Sequence, residues 1–360
     1  MAAVIGKTRL RRHLFGRQSA FGTAVAAQKA YPFSGTPTPN LNWTEAQVDA
    51  GALYPVVPRY KGLPDLNFTL NDPVLDYNTL PLIFASFFGN AETPSGGGTA
   101  KTWGWNPDGL GGEDFDPFTY EFGDDADGTG GKPNDWEQYI DGIATTFTID
   151  SPEEGGGVLT AALGLKFGDL RYAGSTDIPP AGSVPSIADR PDTNPALVYL
   201  KDCSVYLDSD ASDIGSTQLL STVHKFNLVA TQEIDEKRFA DGTQSFQVQE
   251  YGRGASSIHL AVTGAKSDDW VGVGSESDAW SADAQVARYL RFAFESTVIA
   301  QTPSTPYSWE FSLPLRYFQR EHGEIGNNAV VILTGEAFLD DVLNYPFITE
   351  VVNTLPGADL

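Results

Sequence analysis

Alternation of apolar and polar residues with a period of two runs through most of the chain. In the segment 143–149, Ile143, Phe147 and Ile149 alternate with polar or small residues, and the segment 158–167 repeats the pattern. Between them, Asp-Ser-Pro-Glu-Glu-Gly-Gly-Gly has the composition of a hairpin loop. The same alternation occurs at 66–70, 118–122, 203–207, 226–230, 258–262 and 309–317, and 329–333 is continuously apolar. This pattern predicts antiparallel sheets with one solvated face.

Two segments have helical spacing instead. The first, 78–89, has Pro81 in its first turn and Gly89 as a stop. The second begins after Ser281 and runs over 283–294, where Val286, Tyr289, Leu290 and Ala293 form one apolar stripe. Because each predicted helix is followed by a Pro/Ser/Gly stretch and an aromatic-rich strand, the pattern favours a diverged duplication.

These elements predict a mainly β fold with two antiparallel β-sandwich or barrel domains, each with one packed α-helix. We expect a basic arm over 1–40, a first β domain over 41–178, a Pro-rich linker over 179–195, a second β domain over 196–345 and a tail over 346–360. A long Gly- and Asp-rich loop insertion is expected over 90–136. It carries Trp103, Trp105 and Trp136, which we expect to pin it onto the sheet or onto a neighbouring subunit. Sugar stacking by these rings is an alternative.

Charge is divided unequally along the chain. The net charge is −24, yet the first 44 residues contain no acidic residue. The basic residues in this stretch are Lys7, Arg9, Arg11, Arg12, Arg17 and Lys29. A cationic arm before an anionic body favours self-assembly, in which the arm of one copy contacts the body of the next. An organelle transit peptide and a nucleic-acid-binding tail are alternatives.

Motifs for catalysis or cofactor binding are missing from the sequence. There is no nucleophile elbow, phosphate-binding loop, zinc helix or Cys-x-x-Cys pair. The four histidines are isolated: His224 and His259 lie in predicted strands, His13 in the arm and His322 in a predicted turn. The acidic runs beginning at Asp125 and Asp208 fail the calcium-loop pattern and are interpreted as solvated turns. We therefore expect no catalytic residues, no metal and no cofactor, although a carboxylate pair for glycoside cleavage stays open, with neither Glu310 nor Glu336 singled out.

The segment 16–27, Gly-Arg-Gln-Ser-Ala-Phe-Gly-Thr-Ala-Val-Ala-Ala, followed by Tyr31 and Pro32, resembles the start of tail tube (major tail) proteins of long-tailed bacteriophages. The strands predicted around 309–318 and 329–338, after one helix, are similar to the small β-sandwich of that family. The chain departs from the family in length, because many members have one such domain and this chain has two by the predicted duplication. The resemblance implies rings of three chains with pseudo-sixfold symmetry.

The resemblance implies a non-enzymatic structural subunit that stacks into a hollow tube in the virion, after assembly in the host cytoplasm. Its expected partners are copies of itself, a tape-measure protein, tail-tip and terminator proteins, and genome DNA in transit without specific binding, with no membrane. An acidic bore would let the duplex glide, since like charges repel. The residues expected to stack the rings are Lys7, Arg9, Arg11, Arg12 and Arg17, with Trp103, Trp105 and Trp136 of the insertion as a second contact. The alternative function is an extracellular carbohydrate-binding or glycoside-hydrolysing β-sandwich.

Overall fold

The structure is a computed structural model. Strands make up most of its described residues, which confirms the expectation of a mainly β protein. It describes residues 11–27, 29–40, 43–45, 59–61, 65–89, 94–96, 98–106, 115–124, 136–152, 157–172, 196–219, 223–238, 248–265, 287–301, 305–325 and 327–355. The predicted linker 179–195 lies outside these residues, as do residues 1–10 of the predicted arm.

The first half of the chain contains ten strands and one helix among the described residues. They are β1 (Arg11–Arg17), β2 (Lys29–Tyr31), β3 (Trp43–Glu45), β4 (Arg59–Lys61), β5 (Asn67–Asp72), α1 (Leu80–Phe88), β6 (Lys101–Trp105), β7 (Phe118–Asp124), β8 (Glu137–Asp150), β9 (Thr160–Lys166) and β10 (Asp169–Tyr172). The second half contributes β11 (Cys203–Asp208), β12 (Gln218–Leu219), β13 (Val223–Arg238), β14 (Val248–Ala265), β15 (Arg288–Gln301), β16 (Thr305–Ile325), β17 (Asn328–Ala337) and β18 (Ile348–Asn353).

The two halves form one connected antiparallel system, because β8 pairs with β13 and β6 pairs with β18. The long sheet has the order β5-β9-β8-β13-β14-β17-β16 and contains strands from both halves. The first part of β8 also pairs with β7 and β10, and β7 continues to β1 and β2. The first part of β16 pairs with β15 and β18, which extend to β11, β12 and β6 and form the short sheet. The predicted hairpin of 143–149 with 158–167 is confirmed as the β8–β9 pair.

The helix α1 fills the space between the long and short sheets. It begins after Thr79, and the Asp76 carboxylate accepts hydrogen bonds from the backbone N–H of Asn78 and Thr79, both at 2.8 Å. It ends at Gly89, whose φ of 73° favours glycine. Sheets cover the helix on both sides, and eight of its nine residues are buried. This agrees with its sequence, which is apolar nearly all round. These features confirm the helix predicted over 78–89.

Aromatic rings form the core that both halves share. Phe84 of α1 lies 5.7 Å from Phe147 of the long sheet and 6.0 Å from Trp309 of the short sheet, measured between ring centroids. Phe226 of the long sheet contacts Phe292 of the short sheet at 5.3 Å. Since burying one such side chain contributes about 1.5–3 kcal/mol, this cluster stabilises the contact between the halves.

A buried joint occurs where β8 passes from β7 to the long sheet. Asp141 adopts a φ of 57° there and is fully buried. Its Oδ1 accepts hydrogen bonds from Gln18 Nε2 at 2.9 Å and from the Gly22 N–H at 2.7 Å, and its carbonyl accepts one from the Tyr251 hydroxyl. Burial raises the pKa of this carboxyl, against the lowering effect of those hydrogen bonds. The joint therefore ties the chain after β1 to β8 and β14.

The second predicted helix is wrong over its described part. Residues from Arg288 onward form β15, in which Leu290, Phe292 and Phe294 are buried against the long sheet. The segment therefore follows the strand period of two and not the helical spacing, because its alternate aromatic side chains fill the space between the two sheets. The described residues contain one α-helix, so they give no second helix to support the duplication.

Three further expectations change. The predicted loop insertion 90–136 contains β6 and β7, each paired in a sheet. From Arg11 onward the predicted arm is part of the fold, since β1 lies between β2 and β7, with Leu14 and Phe15 buried. His322 lies in β16 and not in a turn, and it is exposed there.

Candidate functional site

The predicted stacking arginines that the structure describes lie in β1. Arg11 is in register with Asp124 of β7, and Arg17 forms an ion pair with Asp116 of the same chain. Lys7 and Arg9 lie outside the described residues. At Arg17 a cation of the predicted arm thus meets a carboxylate of the same chain, and a role of these residues between rings stays a prediction.

The three tryptophans of the predicted insertion pack inside the chain. Trp103 and Trp105 are stacked with an interplanar angle of 5°, and Trp103 Nε1 donates a hydrogen bond to Asn353 Oδ1 at 3.0 Å. The Trp136 ring covers Gly123, where a Cβ atom would lie 2.6 Å from it. All three are at most 4 % exposed, which leaves little surface for a sugar or a second subunit. They pin the segment onto the sheets, and their contact with a neighbouring subunit stays a prediction.

One face of the long sheet is partly solvated and has regular geometry. Its residues line up in rows across neighbouring strands. One row is Thr69, Gly164, Thr146, Thr231 and Ser257. The next is Asn71, Ala162, Thr148, Val229, His259, Glu336 and Arg316. The third is Thr160, Asp150, Asn227, Ala261, Thr334 and Gln319, and the fourth is Lys225, Thr263, Ile332 and Glu321. Together with Asn67 and Lys166 these residues are called the polar face below.

Small side chains dominate the polar face, and they bond to one another. The hydroxyls of Thr231 and Ser257 are 2.9 Å apart, and Asn227 Nδ2 donates to Asp150 Oδ1 at 3.2 Å. A Cβ atom at Gly164 would lie 2.3 Å from Thr146 Oγ1, so the threonine covers the glycine. Over β8 and β13 the first three rows therefore hold short side chains, whereas the longer Arg316, Gln319 and Glu336 lie at the β16–β17 end.

The 24 residues of the polar face include three acidic and three basic ones, and Lys166 also forms an ion pair at 3.2 Å with Glu236 of β13, which lies outside the rows. Its acidic residues are Asp150, Glu321 and Glu336, and its basic residues are Lys166, Lys225 and Arg316. Glu336 is in register with Arg316 on the neighbouring strand, and the Arg316 guanidinium lies over the Phe338 ring, 4.2 Å from its centroid. The remaining 18 of the 24 residues carry no formal charge, with histidine counted as neutral, whereas the chain carries −24.

Both edges of the long sheet are open over part of their length. Among the described residues, β5 pairs with β9 on one side and makes a single bridge with Ser34 on the other. At the opposite edge, β16 has β17 as its partner beyond Leu315, and no described strand lies on its other side there. Exposed strand edges of this kind are templates for pairing with another chain.

Another solvated surface, the outer face of the short sheet, brings two carboxylates together. Glu310 of β16 is opposite Glu350 of β18, and Glu310 forms an ion pair with Arg291. Burial and the neighbouring Glu310 raise the pKa of Glu350, while Arg291 lowers it. A glycosidase needs two neighbouring carboxylates, and these two are cross-strand neighbours. Glu336, the other glutamate considered, is on the polar face.

The acidic run beginning at Asp208 builds a turn. Its carboxylate is buried and accepts hydrogen bonds from the backbone N–H groups of Gly215, Ser216 and Thr217 at 2.8–3.2 Å. The run beginning at Asp125 lies outside the described residues. Among those described, no three His, Cys, Asp or Glu side chains are grouped as a metal site requires. In the same part of the chain, no helix combines the length and the apolar character needed to cross a membrane.

Comparison with known proteins finds likeness among solved structures. No protein-family model matches the chain, and no curated protein matches it. The chain is similar to the SPP1 tail tube, whose structure combines solid-state NMR and cryo-EM, at 15% sequence identity and a TM-score of 0.22. The match covers 43% of this chain and 78% of that chain. A TM-score of this size does not establish a common fold.

Proposed function

We propose that this protein is a structural, non-enzymatic subunit of a bacteriophage tail tube, which self-assembles into stacked rings that form a hollow conduit for genome DNA. The observation that carries this proposal is the long sheet, which is antiparallel, contains strands from both halves, and has a polar face between two partly open edges. A sheet with these properties is completed when the edge of one copy pairs with the opposite edge of the next.

In the proposed ring, the free edge of β16 pairs with the free edge of β5 of the neighbour. This interface is heterologous, and in the proposed ring the rotation between copies adds up to a full turn. A second heterologous contact stacks the rings. We propose three chains per ring, because one chain contributes seven strands to the long sheet and the sequence resembles two tube domains in one chain. The basic residues of the first 17 positions, beginning with Lys7 and Arg9, are proposed for the stacking contact.

The proposed partners are further copies of the chain, a tape-measure protein inside the growing tube, and tail-tip and terminator proteins at its ends. Genome DNA passes through without specific binding. The protein is proposed to lie in the tail of the virion, after assembly in the host cytoplasm.

Engineered cysteines test the edge pairing. Glu321→Cys on β16 is combined in turn with Asn67→Cys, Thr69→Cys or Asn71→Cys on β5, in a Cys203→Ser background. Within one chain these sites are six strand spacings apart, roughly 29 Å along the sheet, so an internal disulfide is excluded. If β5 of one copy pairs with β16 of the next, the two strands lie about 4.8 Å apart. At least one of the three cysteine pairs then falls within the roughly 4.4–6.8 Å between Cα atoms that a disulfide needs.

Oxidised tubes are then run on non-reducing gels. We expect a ladder that ends at a covalent trimer for at least one pair. A control, Asp213→Cys with Thr69→Cys, places one cysteine in an exposed turn away from the edge and should stay monomeric. The same samples are examined by negative-stain electron microscopy. If tubes form but the gel shows no more cross-linking than the control, the edge pairing is rejected. If no tubes form, the proposed function is rejected.

The carbohydrate alternative has one observation in its favour, the opposed Glu310 and Glu350. It predicts a monodisperse monomer that binds or cleaves glycans, with activity lost in Glu350→Gln. Polymerisation together with inactivity on a glycan panel decides against it.

A further inference from the structure

We propose that the folded chain cleaves its own backbone at the peptide bond between Asp72 and Pro73, with the Asp72 side chain as the nucleophile. This bond follows the last residue of β5 and precedes α1. The inference goes beyond the proposed function and does not rest on it, because the reaction takes place within one chain and needs no second copy.

An aspartate followed by a proline is the first requirement for this reaction. A neutral Asp carboxyl can attack its own main-chain carbonyl carbon and close a small ring, because both reacting groups belong to one residue. The proline nitrogen belongs to a tertiary amide without an N–H, and it takes up the proton and leaves as a secondary amine. The sequence contains two Asp–Pro bonds, at 72–73 and at 116–117, and their surroundings differ.

The Asp72 side chain lies beside the bond that it attacks. Its Oδ1 accepts a hydrogen bond from the Val74 N–H at 3.1 Å, which closes a turn around the peptide between Asp72 and Pro73. Its Oδ2 is buried and has no hydrogen-bond partner among the described residues. One carboxyl oxygen is therefore held in place, and the other is free to attack.

Burial keeps this carboxyl in the neutral form that the reaction needs. Asp72 is 1 % exposed, and desolvation raises its pKa from 3.8 to about 7, against the lowering effect of the Val74 N–H and with a further rise from Asp76. Ala161, its partner on β9, carries no charge. At pH 6 roughly nine-tenths of such a carboxyl is neutral, compared with about one-hundredth at the unshifted pKa.

The reaction balances with one water molecule as the co-reactant. Attack by Oδ2 forms a C–O bond at the Asp72 carbonyl carbon, the carboxyl proton passes to the Pro73 nitrogen, and the C–N bond breaks. The products of this step are a cyclic anhydride at Asp72 and a free proline amine. Water then opens the anhydride to the side-chain carboxyl and a new terminal carboxyl. Pro73 and Val74 are exposed, so water reaches this position.

The other Asp–Pro bond provides an internal comparison. Asp116 forms an ion pair with Arg17, and its side chain is 31 % exposed. An ion-paired carboxylate has no proton to give to the Pro117 nitrogen. We therefore expect slower cleavage at 116–117 under conditions that cleave 72–73.

Contacts on both sides of the bond should keep the cleaved protein folded. Before the bond, β5 pairs with β9 along its whole length. After the bond, the Leu75 N–H donates to the Leu159 carbonyl at 2.9 Å, and the Leu75 carbonyl accepts from the Val198 N–H at 3.0 Å. The fragments 1–72 and 73–360 should therefore stay associated until the protein is denatured.

Incubation of the purified full-length protein at pH 6 tests the proposal. Samples taken over days, with and without protease inhibitors, are analysed on denaturing gels, by intact mass and by N-terminal sequencing. A fragment that begins at Pro73 should accumulate at a first-order rate that is independent of protein concentration and of the inhibitors. Cleavage at 116–117 should be at least about tenfold slower, and the rate at 72–73 should rise as the pH falls through about 7.

Three variants and an unfolded sample separate this reaction from other cleavage. Asp72→Asn and Pro73→Ala should each slow it at least about tenfold, since the first removes the carboxyl and the second makes the leaving nitrogen a secondary amide. Asp116→Asn should leave the rate unchanged. Unfolding the wild type in urea at pH 6 should slow the reaction at least about tenfold, because the neutral fraction of the carboxyl falls.

The proposal is overturned if no fragment beginning at Pro73 forms in the folded wild type. It is also overturned if cleavage at 72–73 is as fast in urea as in the folded protein, if it needs an active protease, or if Pro73→Ala, which leaves Asp72 in place, cleaves at the wild-type rate. Tube formation has no part in these outcomes, so they leave the proposed function untouched.

Discussion

Asp72, at the end of β5, is a buried carboxyl whose titration should be visible in the stability of the protein. It is 1 % exposed, and burial raises its pKa from 3.8 to about 7, with a further contribution from nearby Asp76 and an opposing one from the Val74 N–H. Its Oδ1 accepts that N–H at 3.1 Å, while its Oδ2 has no partner. Ionised Asp72 is therefore poorly stabilised in the folded protein.

The two pKa values give the direction and the size of the change in the free energy of unfolding with pH. Below pH 3.8 the proton is bound in both states. Between pH 3.8 and 7 the unfolded chain loses the proton first, so this group's contribution to stability is lost as the pH rises through that window. About three pKa units at 1.36 kcal/mol each give roughly 4 kcal/mol. The substitution Asp72→Asn keeps the oxygen that accepts from Val74 and does not titrate.

Urea unfolding followed by tryptophan fluorescence, for wild type and Asp72→Asn at pH 4 to 8, measures this effect. The free energy of unfolding of the variant relative to wild type should rise by up to roughly 4 kcal/mol across the range. Asp213→Asn, at an exposed position, controls for the removal of one negative charge from an acidic chain. A difference between Asp72→Asn and wild type that is flat with pH would refute the reasoning.

Three further predictions concern the core, the β8 joint and the arm. Phe84→Ala should lower the free energy of unfolding in urea by about 3–5 kcal/mol, since its ring contacts both sheets; a loss below 1 kcal/mol would argue against one shared core. Asp141→Ala should lower it by about 2–4 kcal/mol, whereas Asp141→Asn, which keeps an acceptor and tolerates a φ of 57°, should lower it by much less; equal losses would contradict this. Deleting residues 1–10 should leave the thermal midpoint unchanged and stop tube growth, and tubes of normal length would contradict the proposed stacking contact.

The strands were predictable because burial on one face imposes a period of two. Phe147 and Ile149, or Leu228 and Ala230, are fully buried while their neighbours are solvated. The helix α1 was also predictable, since Pro81 and Gly89 mark its ends. For 288–294, two patterns coexist, and Leu290, Phe292 and Phe294 carried the strand signal that the helical stripe concealed. The aromatic residues at alternate positions were the sign that could have decided it.

The polar face could not be predicted as a surface. The alternation indicated that Thr148 and Val229 are solvated, but not that they are neighbours across strands more than 75 positions apart in the chain. Strand order and register decide that, and they follow from long-range pairing. For the same reason the charge at Arg11 and Arg17 indicated a free arm, whereas the buried Leu14 and Phe15 between them make that segment a strand.

The central claim is that copies of this chain close through their sheet edges into rings that stack around a bore. Cryo-electron microscopy of the concentrated, purified full-length protein tests it most directly. We predict hollow tubes of stacked three-subunit rings, with the long sheet continuous around the bore. Monodisperse single particles at high concentration, or filaments without a central channel, would contradict the account.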